Sequence, residues 1–140
     1  MKIIILHSDN KLADAITNEL GKAQYEVHYA ADGEVGLKIA LTRQFDLIVM
    51  EWMLPKSDGL TALKKLRQQK IWTPILIVTA DNSVRDIVQS LDSGANDCVT
   101  APFDIYVLIA RMKALIRRSK WDLCAEIRHD HPRFESAESN

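Results

Sequence analysis

Residues 73–104 read TPILIVTADNSVRDIVQSLDSGANDCVTAPFD. Pro74 opens a short apolar run, Ile75-Leu76-Ile77-Val78, of the kind that forms a strand buried on both faces. Asn82 or Ser83 then offers a helix cap, and Val84, Ile87, Val88 and Leu91 recur at helical spacing. Gly94 stands where a helix end favours a left-handed residue. Asp97–Thr100 reads as another strand, broken by Ala101-Pro102. Strand, helix and strand in this order need a right-handed crossover and a parallel pairing.

The same unit repeats toward the N-terminus. Ile3-Ile4-Ile5-Leu6 is a strand, followed by a helix with Leu12, Ile16 and Leu20 whose end Gly21 and Gln24 bracket. Val27–Ala30 is a second strand, and Asp32 caps a helix carrying Val35, Ile39 and Leu41. Asp46–Met50 is a third strand, followed by a loop with Pro55, Asp58 and Gly59 and a helix with Leu60, Leu63 and Leu66. Asp104 caps a last helix to about Arg118, with Leu108, Met112 and Leu115 on one face. Five strand–helix units predict an α/β fold: a doubly wound five-stranded parallel sheet, order 2-1-3-4-5, with helices on both faces. One domain is expected over 1–119, and 120–140 reads as a linker or flexible tail.

Composition narrows the function. The chain has 140 residues, 47% apolar and 26% charged, which suits one globular domain and excludes wholesale disorder. Eighteen Lys and Arg against 19 Asp and Glu leave a net charge of −1, which argues against direct nucleic-acid binding and against a polybasic membrane anchor. The basic residues Arg111, Lys113, Arg117, Arg118 and Lys120 fit the solvated face of an amphipathic helix. The longest apolar run, Ile105–Ala110, is too short to span a bilayer. Cys98 and Cys124 lack CxxC spacing, which points to a reducing, cytoplasmic setting, with Cys98 a small buried hydrophobe.

Ligands of an open parallel sheet sit beyond the carboxyl ends of its strands. Those ends carry His7, Ser8 and Asp9, then Glu51, then Thr79, then Ala101, and no lysine. His7, Asp9 and Glu51 are the one trio there with metal-ligating chemistry.

The segments 46–60 (DLIVMEWMLPKSDGL), 73–104 and 108–119 (LIARMKALIRRS) resemble the receiver domain of bacterial response regulators, in the subclass that precedes a winged-helix DNA-binding domain. The resemblance implies a CheY-like fold and a chemistry in which an Asp after the third strand accepts a phosphoryl group. An acidic pair then binds Mg²⁺, a Lys neutralises the transferring group, and a Thr and an aromatic act as the switch. This chain departs at nearly every matching position. The phosphoacceptor position holds Glu51, the acidic-pair positions hold His7 and Ser8, the lysine position holds Ala101, and the switch aromatic is Cys98. Thr79 alone of the switch set remains, and Asp9 lies one residue past the acidic pair. Mg²⁺ binding is therefore expected to be lost, with no cofactor in its place.

Glu51 then has three readings: a mimic of a phosphorylated Asp, a partner of His7, or a solvated relic. The resemblance also implies a homodimer through the last two helices and the fifth strand, using Ile87, Val88, Leu91 and Asp92, then Asp97, Val107, Ile109, Arg111 and Lys113. In that family Asp97 and Arg111 match a cross-dimer ion pair, Asp92 and Lys113 supply another, and Ile87 and Val107 replace a charged contact. Ile87 and Val107 packing against their own domain is the competing reading. The resemblance further implies a cis Ala101-Pro102 bond and a winged-helix domain that this chain does not include. The expected function is a phosphorylation-independent dimerisation or interaction module in transcriptional signalling. The alternatives are a working phosphorelay receiver with an unorthodox acceptor, Asp9, Asp81 or Glu51, and a metal-dependent hydrolase on the same fold.

Overall fold

The β-branched and leucine-rich runs are almost wholly withdrawn from water and form the centre of the molecule. The computed structural model describes residues 1–20, 25–54, 56–80 and 84–128, the side chains of Ser57 and of 121–128 excepted. In chain order the elements are β1 Lys2–Leu6, α1 Asn10–Leu20, β2 Glu26–Ala30, α2 Gly33–Thr42, β3 Leu47–Glu51, β4 Met53–Leu54, β5 Ser57–Asp58, α3 Gly59–Gln68, β6 Ile75–Thr79, α4 Val84–Asp92, β7 Asp97–Thr100 and α5 Ile105–Arg128. Five strands pair in parallel in the order β2-β1-β3-β6-β7. Counting those five alone, the order is 2-1-3-4-5, as the alternation of strands and helices predicts. The expected loop after β3 contains a small antiparallel hairpin, β4 with β5. Gly21, Gln24, Pro55, Asp81, Asn82, Ser83, the Cys124 side chain and residues 129–140 lie outside the described residues.

Alternation along each strand sends neighbouring side chains to opposite layers. Ile3, Ile5 and Val49 pack with Ile16 of α1 and with Leu108 and Met112 of α5. Ile4, Leu6, Ile48 and Met50 pack with Leu37 of α2 and with Leu63 and Leu66 of α3. Each fully buried Leu or Ile contributes about 1.5–3 kcal/mol relative to exposure. Gly36 lets α2 lie directly on β1, because a Cβ there would meet Leu6 Cγ at 2.5 Å.

The helices depart from the pattern in three places. In α2 the face toward the sheet is Gly36, Leu37 and Ala40, while Val35 is exposed. In α4 only Ser90 is buried; Val84, Val88 and Leu91 face outward, and Ile87 is half-buried. α5 continues past Arg118 to Arg128, across the expected boundary at 119. Residues 119–128 contain no Gly or Pro and are rich in good helix formers, so nothing local stops the helix.

Two aspartates start helices. The Asp32 side chain accepts the Val35 N–H at 2.9 Å, and Asp58 accepts the Thr61 N–H at 2.7 Å. Those backbone bonds hold both carboxyls below their usual range. Replacing the cap in Asp58→Ala is expected to lower stability by about 1 kcal/mol, measured by urea unfolding at neutral pH. A folded-state value below the unfolded one gives stabilisation that is complete above the unfolded carboxylate value. It is lost as pH falls through the folded value. Stability should therefore decline on acidification below about pH 4, and Asp58→Ala should flatten that decline.

Candidate functional site

The carboxyl edge of the sheet is extended by one residue on three strands. His7 N–H donates to Ala30 O at 3.1 Å, Trp52 N–H to Val78 O at 2.9 Å and Ala101 N–H to Thr79 O at 2.8 Å. These bonds hold the loops after β1, β3 and β7 around one mouth. The Ala101-Pro102 bond is cis, as the resemblance implies.

Glu51 ends β3 inside this mouth, with its side chain 18% exposed. Its Oε1 accepts the Ser8 N–H at 2.8 Å. Its Oε2 stands 3.6 Å from His7 Nε2, beyond hydrogen-bond length but within reach of electrostatic attraction. His7 Nδ1 accepts the Asp9 N–H at 3.0 Å, so Nδ1 is the bare nitrogen and Nε2 carries the ring proton toward Glu51. A second proton on Nδ1 would face the Asp9 N–H. The pairing of Glu51 with His7 therefore sets the carboxylate against the Nε2 side of an oriented imidazole. Asp9 Oδ1 accepts the Lys11 N–H at 2.9 Å and so opens α1.

A cleft of about 380 Å³ lies beside these groups, lined by His7, Asp9, Lys11, Leu12, Glu51, Val78, Ala80, Ala101 and Phe103. Of the residues expected at the strand ends, His7, Asp9, Glu51 and Ala101 line it, and Ser8 and Thr79 do not. Thr79 is buried at the end of β6. Cys98 is partly buried on β7, and burial pushes its thiol up, away from the reactive thiolate.

The expectation of a crevice without lysine is corrected: Lys11, from the first turn of α1, lines the cleft. The resemblance places a lysine only after the fifth strand, where Ala101 stands. Tyr29 is a second addition. Its hydroxyl donates to His7 O at 2.8 Å. Burial, and then the Asp9, Glu51 and Asp14 carboxylates, push that phenol above its usual value, so it remains a donor. Its place one residue before the end of β2 was the available signal.

The donor set does not fit Mg²⁺, which needs hard oxygen ligands in octahedral geometry. The acidic-pair positions present an imidazole and a hydroxyl, and the carboxylates of Asp9 and Glu51 are each engaged by a backbone N–H. His7, Asp9 and Glu51 do not assemble as a metal trio: among the described residues no group of three His, Cys, Asp or Glu could hold a metal ion.

The second expected surface lies on α4, β7 and α5. Val88, Leu91 and Val107 are exposed, Val88 and Val107 by about half (49% and 48%). Ile109 does not belong to this face: it is buried in the core with α1. Two residues from Val107 is about 200° around a helix, so the two cannot share a side. Within the protomer Arg111 Nη1 pairs with Asp97 Oδ2 at 3.1 Å. Asp92 and Lys113 are both exposed and form no ion pair with each other among the described residues. No helix of the described residues is long and apolar enough to cross a membrane.

Comparison with known proteins agrees with this fold. A family model, "Response regulator receiver domain", matches residues 3–113. The alkaline phosphatase synthesis transcriptional regulatory protein PhoP of Bacillus subtilis is 42% identical over 119 residues, 85% of this chain and 50% of its own length. The DNA-binding dual master transcriptional regulator RpaA of Synechocystis is 39% identical over 120 residues, 84% of this chain and 50% of its own. The protein RcaC of Microchaete diplosiphon is 42% identical over 118 residues, 84% of this chain but 18% of its own length. The chain thus spans about half the length of PhoP and RpaA, and less of RcaC. Among solved structures, the Francisella response regulator 1452 receiver domain superposes with a TM-score of 0.78 at 36% identity, covering 84% of this chain and 98% of that one. With its five-stranded fold and these relatives, the chain belongs to the response regulator receiver domain family of two-component signalling.

Proposed function

We propose that this receiver domain signals without phosphoryl transfer, as a constitutive dimerisation or interaction module of a cytoplasmic transcriptional regulator. The observation that carries the reading is the placement of the Glu51 carboxylate, tethered to Ser8 N–H and facing His7 Nε2. A phosphoryl transfer spreads negative charge over oxygens and needs cations opposite the acceptor. Here the position opposite holds Ala101, and the one lysine of the cleft, Lys11, hangs from α1. The Ser8 N–H in the loop after β1 already meets the Glu51 carboxylate, which supports a shape that needs no phosphoryl group.

The output surface on this reading is α4, β7 and α5. Val88, Leu91 and Val107 supply apolar area, worth about 25 cal/mol per Å² when buried. A second copy of the chain is the proposed partner, with the exposed Asp97–Arg111 pair at the rim of the contact. Direct contact with DNA belongs, on this reading, to a segment outside this chain.

Three outcomes are expected. Incubation with acetyl phosphate and Mg²⁺ leaves the intact mass unchanged; a base-labile phosphoryl adduct would restore the working-phosphorelay alternative. Sedimentation equilibrium at micromolar concentration shows a dimer with or without acetyl phosphate, and Val88→Asp with Val107→Asp shifts it to monomer; monomer throughout overturns the dimer. Glu51→Ala frees the Ser8 amide, and its hydrogen exchange should rise by about tenfold or more, the effect of losing one charge-assisted bond.

A further inference from the structure

The end of the sheet opposite the crevice carries a larger hollow, of about 710 Å³. Lys2 at the start of β1, Arg43 after α2, and Lys70 and Trp72 before β6 all line it. Asp46 is the one carboxylate among its lining residues, and its Oδ2 is turned to the Lys2 backbone N–H at 2.7 Å. Among the described residues neither Arg43 nor Lys70 enters an ion pair. A chain of net charge −1 therefore gathers three exposed cations in one concavity.

Trp72 is 69% exposed, unusual for the largest apolar side chain. The Arg67 guanidinium stands 5.9 Å from its ring centroid. That guanidinium cannot swing away. Its Nε and Nη2 donate to Gly94 O, its Nη1 donates to Ile71 O and Thr73 O, and Nη2 also donates to Asn96 Oδ1. Its cation–π contact makes the indole a rigid platform at the rim of the hollow. Lys70, at φ 62, holds a left-handed backbone conformation unusual for a residue with a side chain.

An anchored, solvent-facing indole beside exposed cations fits a flat ring that carries negative charge. Inorganic phosphate would leave the indole unused, and an uncharged aromatic would leave the cations unused. We propose that this hollow binds a nucleoside phosphate, with the base stacked on Trp72 and the phosphates on Lys2, Arg43 and Lys70. Free nucleotide and single-stranded nucleic acid share this chemistry. The site is separate from the crevice, so it stands or falls independently of the reading of Glu51.

Titration with ATP, followed by the backbone amide resonances of Gln44 and Thr73 in the lining of the hollow, should show a saturable shift. Trp72→Ala should weaken binding about tenfold, the effect of one lost base stack, while Trp72→Phe retains most of it. Arg43→Glu with Lys70→Glu should remove saturation. Tripolyphosphate should bind more weakly than ATP by a factor similar to the Trp72→Ala loss. A short oligodeoxyadenylate binding more tightly than ATP assigns the site to a single strand; weaker binding assigns it to free nucleotide. Absence of a saturable shift overturns the proposal. So does ATP binding unchanged by Trp72→Ala, or tripolyphosphate binding as tightly as ATP.

Discussion

Five parallel strands that end together leave a mouth where the sheet's hydrogen bonding stops, and a charge placed there must find partners in the loops. Glu51 is that charge. It meets the Ser8 N–H and the His7 ring, while Tyr29 and Asp9 fix His7 from its carbonyl and its Nδ1. Three hydrogen bonds and the longer Glu51–His7 approach join β3 to the loop after β1 and to β2. Each link removes a donor or acceptor that would otherwise lie partly desolvated and unsatisfied. The carboxylate is thus a structural part of the mouth in this chain.

α4 is the thinly anchored element of the fold. Ser90 is its one buried residue, and the Ser90 hydroxyl donates to Ile87 O within the helix. An amphipathic helix ordinarily turns its apolar stripe to the core. Here much of that stripe stays in water.

The two ends of the sheet differ in charge although the chain is nearly neutral. Asp9, Glu51 and Asp14 act on Tyr29 at the carboxyl end, and Lys2, Arg43 and Lys70 surround the hollow at the other. Parallel strands make this separation possible, since all loops after strands lie on one side and all loops before them on the other. Local fields, and not net charge, set which ligands each end attracts.

The strand order, the two-layer burial of the sheet and the identity of the strand-end residues were legible in the residue order. Short apolar runs separated by capped helices admit few other topologies, and a register of two fixes which side chains share a face. His7, Asp9 and Glu51 were found that way. Lys11, Tyr29 and the Trp72 platform were not, because each reaches its place from a helix turn, a neighbouring strand or a loop that periodicity does not position. The exclusion of Ile109 from the exposed face of α5, and the continuation of α5 past Arg118, were likewise decided by packing and helix propensity. Sequence patterning determines which element a residue belongs to. Which neighbours its side chain meets depends on how the elements dock, and that is settled only when their surfaces are packed together.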